Sequence, residues 1–427
     1  MKIKITKIDL VSYAIYITIA AIFFFSFGLA GRQPYNYVNI ALWAVLGGFY
    51  FLLRRLKKIK LFHFRYDGFA LAMAIYCATM VISNALAGFR SFSVTGIVCA
   101  LSSLMIYWML SDGIVSKKTM LACICVGAIG YLLLFAVVYR NDVLHPNFSK
   151  RIGTFFDNQN EVALNSGLCA MFLFALFFET KKWYLKIVSA IFFLLAFYTI
   201  LLTGSVSGVL TTSLVFACVL PFFFKSRRSR FAVAISELSL LAIAIVILLA
   251  SDKFSYYAGR INGMLSSLGL ASGSGDGSAE TRLNSILAGL RIFMENPLFG
   301  AGDDSVHYSY EAMAHNNFAE VLADYGIFAF VAYEALMIIP IWKFRKSTGD
   351  YKRFVIPILF FAFFFQFFLF TFNSKPICLL LAVCFYLVFP DGLYVHIFGK
   401  RSNEERIDVQ TPSEVQQAFD EKGNVNS

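Results

Sequence analysis

Apolar runs dominate this chain, at 8–30, 37–53, 67–87, 93–110, 119–139, 161–178, 183–202, 208–224, 232–250, 317–341, 354–372 and 377–398. Most approach the roughly 20 residues that an α-helix needs to cross a bilayer core. Short polar segments separate them, except between 251 and 316, where no such run occurs. The pattern predicts an all-α integral membrane protein of about twelve transmembrane helices with one long loop. Residues 1–398 would form the polytopic membrane domain, 251–316 its loop, and 399–427 a polar tail. The first run follows Lys2, Lys4 and Lys7 as a signal peptide would. At about 22 residues it is longer than a signal core of ~7–15, so it is expected to stay as the first span.

The loop has its own pattern. Its middle, "GLASGSGDGSAE", is rich in Gly and Ser and predicts a flexible segment. In "ETRLNSILAGLRIFMENP", Leu283, Ile286, Leu287, Leu290 and Met294 recur at helical spacing, which predicts an amphipathic helix over 280–295 closed before Pro297. Such a helix lies on a bilayer surface or over a cavity.

Composition and charge agree with the membrane reading and add orientation. The 427 residues are 59% hydrophobic and 15% charged, with 48 Phe; soluble proteins carry about 25% charge. With a cytoplasmic N-terminus, the inner segments hold 27 of the 37 Lys and Arg, which satisfies the positive-inside rule with both termini in the cytoplasm. The net charge of +11 is then a topology signal, and a nucleic-acid role is excluded. The outer segments hold 3 Lys and 7 Arg, among them Arg151, Arg260 and Arg282. Arginine grips phosphate with a planar, always-charged fork, so this set points to an anionic ligand, although each one alone reads equally well as a solvated loop charge. The eight cysteines all fall in apolar runs, which predicts buried, inert thiols without disulfides or a thiol metal site.

Three polar intrusions interrupt the apolar pattern, all on the outer side. In "AHNNFAEVLADYG", Asn317 and Glu320 fit a capping-box-like helix start. His315 precedes the positive end of that helix, where its imidazole stays neutral near pH 7 and can take a proton from a hydroxyl; a plain loop histidine is the simpler alternative. Glu320 and Asp324 share one helix face, and carboxylates in a span usually face a polar cavity or pair with cations. Gly326 marks close packing or a bend. "RIGTFFDNQNEVAL" places Arg151 and Asn158–Glu161 at the mouth of another span, with Asp157 or Asn158 as its cap. "LLTGSVSGVL" brings Thr203, Ser205 and Ser207 to the same side. The "GDD" at Gly302–Asp304 reads as a turn before a cation site. No metal motif and no nucleotide-binding glycine loop is present in the sequence, so no cofactor is expected.

The order "RIGTFFDNQNEVA", "LTGSVSG", "ETRLNSILAGLRIFMENPLFGAG" and "HNNFAEVLADYGIFAF", from about Arg151 to Phe330, resembles the O-antigen ligase/polymerase family of bacterial surface-polysaccharide enzymes. The resemblance implies a metal-independent glycosyltransferase in the cytoplasmic (inner) membrane, with its active site on the extracytoplasmic side. Its substrates would be an undecaprenyl diphosphate-linked glycan and an acceptor hydroxyl. Polymerases of the family extend O-antigen, capsule or exopolysaccharide repeat units and would add a chain-length regulator as partner; ligases use the lipid A core. The family's loop histidine corresponds to His315 and its loop arginines to Arg260 and Arg282. The chain departs from the family at Val206, where an arginine is usual, and at Ser285, where a tryptophan is usual. The roles that follow are His315 as base, Glu320 or Asp324 orienting it or an arginine, and Arg260, Arg282 and Arg151 on the diphosphate. A lipid-linked sugar flippase is the competing reading, since twelve spans also suit a transporter.

Overall fold

The structure, a computed structural model, describes residues 6–29, 35–59, 67–92, 94–148, 152, 158–224, 226–250, 254–267, 277–311, 315–346, 351–369, 371–372 and 374–389. The expected tail at 399–427, the Gly/Ser segment at 268–276 and Arg151 lie outside these residues. Among the described residues the secondary structure is helical, without strands. In chain order the helices are α1 (Lys7–Gly28), α2 (Tyr35–Leu56), α3 (Gly68–Leu86), α4 (Val94–Ser111), α5 (Lys117–Val138) and α6 (Arg140–Leu144). There follow α7 (Gln159–Glu179), α8 (Trp183–Leu202), α9 (Val206–Val219), α10 (Arg227–Ala250) and α11 (Ser255–Ser267). The last are α12 (Gly277–Glu295), α13 (Ser305–Tyr310), α14 (Asn317–Lys346), α15 (Lys352–Phe365) and α16 (Lys375–Val388).

Eight of these helices, α1 to α5, α7, α8 and α14, are long and apolar enough to cross a membrane. Each of the twelve predicted runs contains a helix, but α9, α15 and α16 have 14 residues each. At 1.5 Å per residue that is about 21 Å, short of a ~30 Å hydrocarbon core. The predicted span 354–372 in particular ends early: α15 stops at Phe365 and the chain turns at Gln366.

Helix α7 is central. Its residues from Val162 to Ala175 are almost all buried, and it packs against α8, α9 and α15. Helices α1, α2 and α5 pack together, α14 packs on α3, and α16 packs on α4. On α8, Ile187, Ile191 and Leu194 are exposed at helical spacing, as expected of a surface that meets lipid rather than water.

The loop between α12 and α14 is strapped across a break in α14. Gly326 has φ 74° and ψ −170°, which interrupts the helix. The strap returns hydrogen bonds to the interrupted ladder: Ala301 N donates to Ala323 O (2.8 Å), Gly302 N to Asp324 O (3.0 Å) and Ile327 N to Pro297 O (3.0 Å). Two glycines allow the approach. A Cβ at Gly326 would stand 2.4 Å from Leu298 O, and one at Gly300 would stand 2.3 Å from the carbonyl carbon of Asp324. Helix α3 locks the strap from the other side. The Asn84 side chain pairs with Asp303 through Nδ2–H to Oδ1 (3.0 Å) and accepts from Asp303 N at Oδ1 (3.1 Å). Ser91 Oγ donates to Asp304 (2.7 Å). The "GDD" segment is thus a buttressed turn.

Gly326→Ala is expected to destabilise by about 3 kcal/mol or more, because its backbone region is essentially reserved for glycine and its Cβ would overlap the strap. A lower thermal midpoint in detergent, by intrinsic fluorescence, is the readout; an unchanged midpoint would contradict the fitted crossing.

Candidate active site

The mouth of α14 divides its polar residues between structure and chemistry. Asn316, not Asn317, caps the helix: its Oδ1 accepts from Ala319 N at 3.0 Å. The expected Asn317–Glu320 box is therefore corrected, because Asn317 is already helical and its amide is used elsewhere. Asn317 Oδ1 accepts from Thr371 N (2.6 Å) and Phe372 N (2.9 Å), and Nδ2 donates to Gln366 Oε1 (2.5 Å). Gln366 Nε2 in turn donates to Glu334 Oε2 at 3.3 Å. This buried set joins α14 to the turn between α15 and α16. Sequence reading missed Asn316 as the cap and missed Gln366 and Glu334; the signal was a single glutamine in "FFAFFFQFFLF", a polar group too expensive in lipid to lack a partner.

His315 stands just before the cap with φ 48°, a left-handed backbone, and its side chain is partly buried. Helix α12 brings Arg282 to it. Gly289 packs against Ala319, and Pro297, just past the end of α12, meets Ile327. Both pairs are thirty positions apart, so α12 and α14 run side by side in the same direction. That register sets Ser285 level with His315 and Arg282 one turn away. Burial lowers the His315 pKa from its usual value, and the positive charge of Arg282 lowers it further. Both effects disfavour the imidazolium, by desolvation first and a neighbouring cation second.

Helix α12 packs through its small residues. Ser285, Ala288, Gly289 and Ile292 are the buried positions, with Ala288 and Ile292 in a small core that includes Val306, Ala319 and Ala323. Small residues allow the close approach to α14 that sets the register. The apolar stripe Leu283, Leu287, Leu290 and Met294 is exposed, and Ile286 of the predicted set packs on the core. Arg282 falls on the border between the two faces.

The other site residues are distributed as follows. Arg260 is half-buried on α11, which packs against both α12 and α9. Tyr257, on the same helix, donates from its hydroxyl to Leu201 O. Glu320 is buried in the first turns of α14. Asp324 is buried one turn later, and its Oδ1 accepts from Ser305 N (3.0 Å) and Ser305 Oγ (2.7 Å). Its carboxylate therefore holds the start of α13. Two of the polar intrusions meet: Ser205 Oγ donates to Asn160 Oδ1 at 2.8 Å. Ser205 caps α9 through Gly208 N (3.2 Å), and Asn158, one of the two expected caps, caps α7.

A family model described as O-antigen ligase matches residues 190–333. That stretch contains α9 to α13, Arg260, Arg282, His315, Glu320 and Asp324. The match supports the O-antigen ligase/polymerase family, and with it a multi-pass, glycan-transferring membrane enzyme. A search of curated proteins finds no match.

Asn317→Ala removes a side chain that satisfies two backbone N–H groups and one buried amide. The expected cost is about 2–4 kcal/mol, measured as a loss of thermal stability in detergent. Retention of wild-type stability would show that the α15–α16 turn is supported without it.

Proposed function

We propose that this chain transfers a glycan from an undecaprenyl diphosphate carrier to a sugar hydroxyl on the extracytoplasmic side of the bacterial cytoplasmic membrane, polymerising O-antigen, capsule or exopolysaccharide repeat units. Both termini would lie in the cytoplasm. The observation that carries the reading is the juxtaposition of His315 and Arg282, an imidazole whose protonation is disfavoured by burial and by that cation, within the stretch matched by the O-antigen ligase family.

The chemistry follows from the roles. Neutral His315 takes the proton of the acceptor hydroxyl as its oxygen attacks the anomeric carbon. The sugar–phosphate C–O bond breaks, and the electron pair leaves with the diphosphate. Arg282, Arg260 and Arg151 hold that developing charge; such stabilisation is worth several kcal/mol in a water-poor site. Glu320 is assigned to orient His315 or an arginine. Asp324 is assigned to support the same segment, given its bonds to Ser305. The exposed Leu283–Met294 stripe would lie along the carrier's lipid tail while Arg282 meets its headgroup.

Ligase action on lipid A core is the second reading, favoured by the description of the family match. The acceptor separates the two: a lipid-diphosphate repeat unit alone gives longer glycans with a polymerase, and a ligase requires the core. A flippase would move the lipid and leave it chemically unchanged.

His315→Asn is the sharper variant, because Asn tolerates the left-handed backbone that His315 adopts. Turnover of purified protein on a lipid-diphosphate glycan is expected to fall by about 100–10,000-fold with normal insertion; full activity would remove His315 from the reaction. The pH profile tests Arg282. Since burial and Arg282 depress the His315 pKa, the acid limb of kcat/KM lies below about 6.5. Arg282→Gln removes the cation, so the limb moves to higher pH. Arg282→Lys keeps the charge, so the limb stays while the rate drops. An unmoved limb in Arg282→Gln would contradict the coupling.

A further inference from the structure

At the start of α15, where Arg353 donates to the carbonyl of Phe178, a different site is built. An apolar cavity of about 340 Å³ is lined by Phe174, Phe177, Phe193, Phe216, Leu220 and Phe224, from α7, α8 and the end of α9. This is within the roughly 300–1,000 Å³ of small-molecule sites. Its rings support each other: Phe174 and Phe216 lie 4.6 Å apart, and Phe193 stacks on Phe216 at 5.6 Å. The groove is thus preformed.

Cations surround it. Arg230 Nε donates to the carbonyl of Phe224, a lining residue, at 2.8 Å. Arg227, Arg228, Arg230 and Phe231 line an adjoining basin of about 660 Å³. Lys186 Nζ lies over the ring of Phe177, another lining residue, at 5.8 Å. Arg353 is already paired with Glu179 at 3.5 Å; among the described residues no carboxylate is paired with Arg227 or Arg228. Trp183 and Tyr184, which open α8, and Phe231, in the basin, are exposed, and Trp and Tyr favour the level of lipid headgroups.

We propose that this groove binds an anionic glycerophospholipid of the bilayer, its phosphate held by Arg227, Arg228 and Arg230 and one acyl chain seated among the phenylalanines. A purely apolar partner leaves the arginines uncompensated, and a soluble phosphate leaves the phenylalanine cavity unfilled. A phospholipid with a charged head satisfies both. The inference is independent of the glycan chemistry at His315.

The test is lipid titration of the full-length protein in detergent, read by native mass spectrometry and thermal shift. Phosphatidylglycerol is expected to bind saturably, roughly tenfold or more tightly than phosphatidylcholine. The exposed triple variant Arg227→Gln/Arg228→Gln/Arg230→Gln should lose that preference and keep its fold. Ala190→Phe, which adds a ring to the groove's lining, should weaken both lipids together. Equal binding of the two lipids by the wild type, an undiminished preference in the triple variant, or unchanged binding by Ala190→Phe would each overturn the proposal. So would undecaprenyl phosphate displacing phosphatidylglycerol at lower concentration, which would make the groove a carrier site.

Discussion

A bilayer supplies no water to a broken helix, so every backbone group freed inside it must find a partner within the protein. This chain breaks its helices twice around His315, at Gly326 within α14 and between α15 and α16. Both breaks are repaired from segments distant in sequence. The 297–302 strap donates to, and accepts from, the opened ladder of α14, and Asn317 Oδ1 receives the N–H groups of Thr371 and Phe372. Glu320 lies between these two supports, and His315 and Asn316 come immediately before the first of them along the chain, Asn317. Their positions are inherited from the repairs, because any shift of α14 along its axis would undo hydrogen bonds at both ends.

The same arrangement sets the electrostatics of the mouth. His315 is depressed in pKa first by burial and then by Arg282. In the proposed reaction the arginine therefore acts on both partners of the transfer. Without a donor, it adds to the burial that disfavours the imidazolium. Once a diphosphate neutralises the guanidinium, that pressure is relieved and the imidazole becomes the stronger base. Proton affinity would then rise when the donor is present, as linkage between two sites of opposite charge requires.

Much of the helical layout was legible from apolar runs, because lipid-facing helices need long stretches without charge. The ends were less so. The run at 354–372 reads as one span, yet its helix stops at Phe365, since Gln366 turns to meet Asn317 and Glu334; hydropathy weighs one glutamine lightly against twelve phenylalanines and leucines. On α12 the periodicity of Leu283, Leu287, Leu290 and Met294 found the helix, but not the face that packs. In a soluble protein the large residues would be inside. Here close approach to α14 selects Ala288 and Gly289 for the interior and leaves the leucines outside, as in helices that pack within membranes. The proximity of Arg282 to His315 depends on that register, which no local pattern encodes.

The crowding of polar groups at the start of α14 has a physical division of labour. Asn316 closes the helix end, Asn317 supports the neighbouring turn, and Asp324 fixes Ser305. Each has a bonding partner whose loss would leave a buried group unsatisfied, so these residues are accounted for by folding. His315 differs from them in its backbone. The left-handed backbone at His315 is a local cost, and folding alone would favour glycine there. A strained, partly buried imidazole beside an arginine, at the border of an exposed apolar stripe, matches an amphiphilic substrate with a charged headgroup. That combination argues for chemistry on a lipid-linked anion more strongly than any of the residues does separately.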